Sequence, residues 1–258
     1  MAVLAVTYDS LREAIGYFLG YGRTTADWSS EQSANVRAAL DAGYRMFLTP
    51  PAAPGRRSSY QWSFLRPVLD IALVSDLRDY PLPDGFVCFE GELHVVTTNT
   101  VYARVNRRTI GEILQLRAEA GSVTGRPYCV AVRPRSMDGA PGLGQRFELM
   151  VYPTPEASYT LRGQAQISPP ALSSDNPYPY GGTAHGETIR QACLAAAERD
   201  VDDAPQAGHQ AAFLQCLAAS IDADARLRPS NLGRSRDESP FDPNSVVYAT
   251  WSDVLYEG

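Results

Sequence analysis

Residues 158–167 read SYTLRGQAQI. Tyr159, Leu161, Gly163, Ala165 and Ile167 alternate with Thr160, Arg162, Gln164 and Gln166. A period of two sends successive side chains to opposite faces, so this stretch is a strand with one face on a core and the other in water. The same period recurs upstream, at Phe147, Leu149 and Val151 in RFELMVY and at Tyr128, Val130 and Val132 in RPYCVAV. Further strands are expected over 68–74, 86–97 and 100–105. A short helix over 109–118 interrupts them, with Thr109 and Glu112 at the spacing of a capping box. Short strands parted by Pro and Gly turns, from 67 to 170, imply an antiparallel β-sandwich or barrel-like module.

On either side of that module the period is 3.6. Leu11, Ile15, Phe18 and Leu19 mark a first helix, with Ser10 and Glu13 at capping-box spacing. Ser29 and Gln32 cap a second, whose face is Val36, Leu40, Gly43 and Phe47 and which Pro50 and Pro51 stop. After the turn-rich SPPALSSDNPYPYGGT, Ile189, Cys193, Ala196 and Ala197 line a third, and Leu214, Leu217 and Ile221 a fourth. The fold class is therefore α+β. Residues 1–66 and 171–227 are expected to supply N- and C-terminal helices to one bundle, with residues 67–170 inserted as the β module and residues 228–258 forming an extended C-terminal arm.

The arm begins with RPSNLGRSRDESPFDPNS, too polar and too rich in Pro, Gly and Ser to build a core. It ends in VVYATWSDVLY, which carries Val246, Val247, Tyr248, Trp251, Val254, Leu255 and Tyr256. Such an end either folds back onto its own core or adds to a partner as a strand or hook. About 18 extended residues would reach roughly 60 Å. A second aromatic group, Trp62, Phe64 and Leu65 in SYQWSFL, stands at the seam between helices and strands. Large aromatics there are expected to anchor the β module against the bundle; a partner-binding hot spot is the alternative.

Composition narrows the function. The 258 residues are 44% hydrophobic and 20% charged, enough for a substantial core. No run approaches the roughly 20 apolar residues of a membrane span, and MAVLAVTYDS lacks the basic start of a secretory signal. All 23 basic residues are Arg, and the net charge of −6 argues against a protein that wraps DNA. Cys88, Cys129, Cys193 and Cys216 form no C-x-x-C pair, so buried free thiols are expected rather than a zinc site or disulfides.

The chemistry-bearing templates are missing: no G-x-S-x-G, no phosphate-loop motif, no H-E-x-x-H. The glycines of DGAPGLGQ precede a strand, whereas a dinucleotide loop follows one, so they read as a turn or a mobile β-loop. His94, His185 and His209 stand apart. Asp200, Asp202, Asp203, Asp222 and Asp224 lack the ligand spacing of a calcium loop and read as solvated helix ends, or as acids facing a DNA path. No enzyme activity, cofactor or metal is expected.

TYDSLREAIGYFLGYG, YQWSFLRP, YPLPDGF, GRPYCVAVRP, FELMVYPTPEASYTLRGQAQISPPALS and HGETIRQACLAAAE occur in that order. The set, over roughly residues 7–200, resembles the adaptor, or head-completion, proteins of tailed bacteriophages. The resemblance implies a structural virion protein at the neck between capsid and tail. It implies a homo-oligomeric ring, normally of twelve copies, docked beneath the portal protein and joined to the next tail or nozzle protein. DNA would pass through that ring without specific binding. It further implies that the C-terminal segment, Val246 to Tyr256, contacts the portal. Two rivals belong to other classes: a β-sandwich of a tail or fibre that recognises a host glycan through the Tyr residues of NPYPYGG, and a hydrolase using His185 with Asp175 or Glu187.

Overall fold

A computed structural model of the chain describes residues 5–51, 60–97, 100–119, 123–135, 146–201 and 208–227. All the elements below lie in one unit, Met1–Leu227.

Helix α1, Tyr8–Phe18, starts two residues before the expected cap. Thr7 is the N-cap, its hydroxyl accepting from Ser10 N (3.2 Å) while Thr7 N donates to the Ser10 hydroxyl (2.8 Å). Ser10 is therefore the third helical residue, because the preceding threonine offers the same capping oxygen one turn earlier. Helix α2, Ser30–Leu48, has the Ser29/Gln32 capping box that its sequence specifies. Helix α4, Gly186–Val201, and helix α5, Gly208–Leu227, follow the β region. Helix α4 packs against both α2 and α5, and α1 lies on α2 and α4.

These helices share one core containing Leu11, Ile15, Leu40, Phe47, Ile189, Cys193, Phe213 and Leu217. The α5 stripe differs from the expected one: Phe213 is fully buried and Leu214 is 47% exposed. One position turns a helix by 100°, and Phe213 falls in line with Leu217, Ser220 and Asp224 on the inner face. Gly43 is where α2 and α4 come closest, since a Cβ placed there would lie 2.3 Å from Cys193 Cα. No larger residue fits between those two backbones.

The sheet is built from β1 Val68–Leu73, β2 Asp79–Pro81, β3 Phe86–Thr97, β4 Thr100–Arg107, β5 Cys129–Pro134, β6 Phe147–Tyr152 and β7 Tyr159–Ile167. The strand order β1-β7-β3-β4-β5-β6-β2 makes a single, nearly closed, barrel-like sheet. It is not purely antiparallel, because β4 and β5 run parallel. The cause is helix α3, Ile110–Glu119, which carries the chain across between them; a tight hairpin cannot join parallel neighbours. α3 starts at the Thr109/Glu112 capping box, with Glu112 N donating to Thr109 Oγ1 at 3.2 Å. The short strand β2, which alternation alone does not reveal, pairs with β6 through Tyr80 opposite Leu149.

Strand β7 presents Leu161, Gly163 and Ala165 inward, as its alternation requires. They meet Leu93, Val95, Val130, Leu149 and Val151 in the barrel interior. Strands β5 and β6 are buried on both faces. Their outer residues Cys129, Ala131, Met150 and Tyr152 pack with Ile113 of α3 in a separate small core. Hence the expected β5 face is only partly right: Val130 is interior, but Tyr128 precedes the strand and is exposed.

Candidate functional site

Residues 60–66 carry the chain from the helical part into the sheet, and the side chains of Tyr60, Trp62, Ser63, Phe64 and Leu65 turn towards the helices. Trp62 is 1% exposed and donates from Nε1 to the Phe47 carbonyl of α2 (2.8 Å). Its ring meets Phe47, Tyr60, Phe64 and His185 at centroid distances of 4.8 to 5.3 Å. Leu65 is buried in the same core. Trp62, Phe64 and Leu65 thus fill the helical core, and the link to the sheet runs through main chain and polar groups. Ala165 N donates to the Pro67 carbonyl (3.0 Å), Gln164 Nε2 to the Arg66 carbonyl (3.2 Å), and Arg66 pairs with Glu90 (3.2 Å). Beside this junction lies a cavity of about 330 Å³, lined in part by Leu48, Tyr60, Trp62, Val87 and Ile167.

The polar centre of the junction is Asp224, 1% exposed on the inner face of α5. Its carboxylate accepts hydrogen bonds from the Tyr60 hydroxyl (2.7 Å), from Ser63 N (3.1 Å) and from the Ser63 hydroxyl. One turn back, Ser220 bonds Thr188 of α4 (2.6 Å), and the Thr188 hydroxyl also donates to the Cys216 carbonyl (3.2 Å). A buried carboxylate is tolerated only when its oxygens are satisfied, and three donors from one short segment do that here. The reading of Asp224 as a solvated or channel-facing acid is therefore corrected: it stands inside the subunit. The sequence does hold the signal, because Phe213, Leu217, Ser220 and Asp224 recur at i, i+4, i+7 and i+11. Its partners, some 160 positions away, leave none.

Asp200, at the end of α4, and Asp222, on the outer side of α5, are exposed. Asp202 and Asp203 lie outside the described residues, as do the DGAPGLGQ loop and every arm residue from Val246 to Tyr256. Of the four thiols, Cys129 and Cys193 are buried and Cys216 half-buried, but Cys88 is exposed, against expectation, because it points outward from β3.

The rival sites fare as follows. His185 is 3% exposed among Phe47, Trp62 and Phe64, whereas Asp175 and Glu187 are exposed. Burial holds the His185 pKa below its ordinary value, with Asp224 pulling the other way. Tyr178 and Tyr180 are exposed, but their segment lies along the helices: Tyr8 N donates to the Pro177 carbonyl (2.8 Å), and Tyr180 N to the Tyr44 hydroxyl (3.0 Å). They are not part of the sheet. Among the described residues, no three His, Cys, Asp or Glu side chains gather as a metal-holding group, and no helix is long and apolar enough to cross a membrane.

What the described surface offers instead is apolar side chains on separate elements. α1 exposes Tyr17 and Phe18, and α3 exposes Ile110 and Leu114 one turn apart. Val68, Val74 and Leu77 are exposed along the edge strand β1 and the turn after it. A family model described as SU10 adaptor protein matches residues 6–235, a span that takes in every described element. No curated protein matches the chain.

Proposed function

The chain belongs to the SU10 adaptor protein family, that of a phage adaptor with a structural role in the virion, and from that premise we propose that it assembles as a ring beneath the portal. In this reading the ring joins the capsid vertex to the tail, and DNA passes through its centre. The observation that carries the reading is the two-part build. Helices from both ends of the described chain share one core and the strands between them build another, which suits a subunit whose two parts meet different neighbours. In this proposal the helical part docks on the portal and the sheet meets the next tail protein.

Charge supports passage of DNA. Twelve copies of a chain with net charge −6 carry roughly −72, which repels phosphate at short range while salt screens the field beyond about 8–10 Å. The apolar arm residues Val246, Val247, Tyr248, Trp251, Val254, Leu255 and Tyr256 are the candidates for portal contact. No catalysis is assigned, and the work of the protein is to bind several neighbours through many cumulative contacts.

Mass measurement with and without a portal protein tests this. The full chain should join portal rings, and a chain lacking residues 229–258 should stay a folded monomer that does not. A full chain that remains monomeric beside its portal would sink the ring, and a truncated chain that joins equally well would sink the role of the arm.

A further inference from the structure

The adaptor reading leaves the pair His185 and Asp224 unused, though both are ionisable and almost wholly buried. We propose that residues 60–66 are a strap which Asp224 holds shut and which protonation of His185 releases, so that acidification loosens the joint between the helical part and the sheet.

The geometry of the closed strap is specific. Tyr60 and Ser63 both donate to Asp224, and Trp62 donates to Phe47, so one short segment is fastened at three points to two helices. The His185 ring lies within the same group, 5.2 Å from Trp62, 5.6 Å from Phe64 and 5.9 Å from Phe47. Its Nδ1 is buried and has no hydrogen-bond partner among the described residues. An uncharged imidazole is tolerated there, whereas an imidazolium loses its hydration and leaves a charged N–H on Nδ1 without an acceptor, a cost that the ring faces offset only in part.

A protonated ring has two ways to regain what burial removes. It can draw the Asp224 carboxylate to itself, which takes the acceptor away from Tyr60 and Ser63, or it can reach water, which requires Trp62 and Phe64 to move. Either way the strap opens. The cavity beside Tyr60 and Trp62 leaves room for that movement.

Beside the ring, α5 contributes the charged group Asp224; of the titratable groups in the strap, the Tyr60 hydroxyl is already bonded to Asp224 and Arg66 pairs with Glu90 of the sheet. Helix α2 contributes Phe47, which is neutral, and Glu187 on the element of His185 itself is exposed. Burial is the larger influence on His185 and Asp224 the smaller, so its proton affinity is lower in the closed form than in the open one. The sign follows. The closed strap is fully favoured above the ordinary histidine value of about 6.5 and loses ground as the pH falls through it.

Hydrogen exchange of the full chain, read by mass spectrometry and corrected for intrinsic rates, tests the strap directly. Exchange in 60–66 should be about tenfold faster at pH 5.5 than at pH 7.5, the limit for one proton taken up on opening over that interval. In His185→Phe, which keeps a ring in the cage, the pH effect should vanish. His185→Gln, polar but not titratable, should give the same result should the phenylalanine variant fail to fold. Protection of α4 serves as the internal control and should not change. Equal protection of 60–66 at the two pH values would overturn the proposal, as would an acceleration that persists in both variants or that α4 shares. None of these outcomes depends on ring formation, so the strap and the adaptor reading stand or fall separately.

Discussion

Replacing Gly43 by alanine sets two effects of opposite sign against each other, and the structure decides which wins. In the middle of an exposed helix the change would stabilise by about 1 kcal/mol, because glycine loses more backbone freedom on folding. At position 43 the new methyl would stand 2.3 Å from Cys193 Cα, 2.6 Å from Cys193 N and 2.7 Å from the Ala192 carbonyl oxygen. All three obstacles are main chain, so no rotamer change relieves them, and α2 and α4 must part by about 1 Å to restore ordinary contact. Overpacking of a dense core costs about 1–3 kcal/mol when side chains can adjust, and sits at or beyond the upper end of that range where they cannot. The net loss should be about 2 kcal/mol. For a chain of this size, at about 2–4 °C per kcal/mol, the melting temperature should fall by about 4–8 °C. Far-UV circular dichroism follows the helices directly. Gly111→Ala in α3 is the matched control, since nothing lies within 4 Å of the added atom, and it should leave the midpoint equal or slightly raised. A Gly43→Ala chain melting at or above the parent would show that the two helices do not approach this closely.

Trp62→Ala should cost about 3–5 kcal/mol in urea unfolding of the isolated subunit, from lost ring contacts and an orphaned Phe47 carbonyl. Trp62→Phe, which loses the donor but keeps a ring, should cost clearly less, and an unshifted midpoint for the alanine variant would discard its place in the core. Among the thiols, iodoacetamide should modify native Cys88 but not native Cys193; equal labelling would contradict the packing of α2 on α4. Burial, with Asp41 adding, pushes the Cys193 thiol up to about 12 from 9.0. The thiol is thus held neutral in the folded chain and ionises on unfolding, so its contribution is intact below pH 9 and is lost as pH rises towards 12. Urea midpoints should decline across that window, less steeply for Cys193→Ala than for the parent.

Much of the fold was legible because it rests on local periodicity. The alternation around Leu161 and Ala165, the Ser29/Gln32 and Thr109/Glu112 caps, and the apolar stripes of α2 and α4 are each written within a few residues. A short strand such as β2, with three residues and a proline, carries too little pattern to be seen. The parallel step between β4 and β5 was hidden too, because strand pairing joins residues whose separation in sequence says nothing about direction. The candidate site divides in the same manner: Trp62 announces itself as an aromatic at a seam, while Asp224 looks like one more acid at a helix end.

What the sequence determined alone is which segments become helix or strand and which of their faces avoid water, since both depend on side chains at spacings of two or of three to four along one element. What only the tertiary structure decided is which apolar faces meet, that α2 and α4 touch at Gly43, and that Asp224 is enclosed by Tyr60 and Ser63. The physical reason is that burial and hydrogen bonding act at a few ångströms in space, and the groups they join can lie anywhere along the chain.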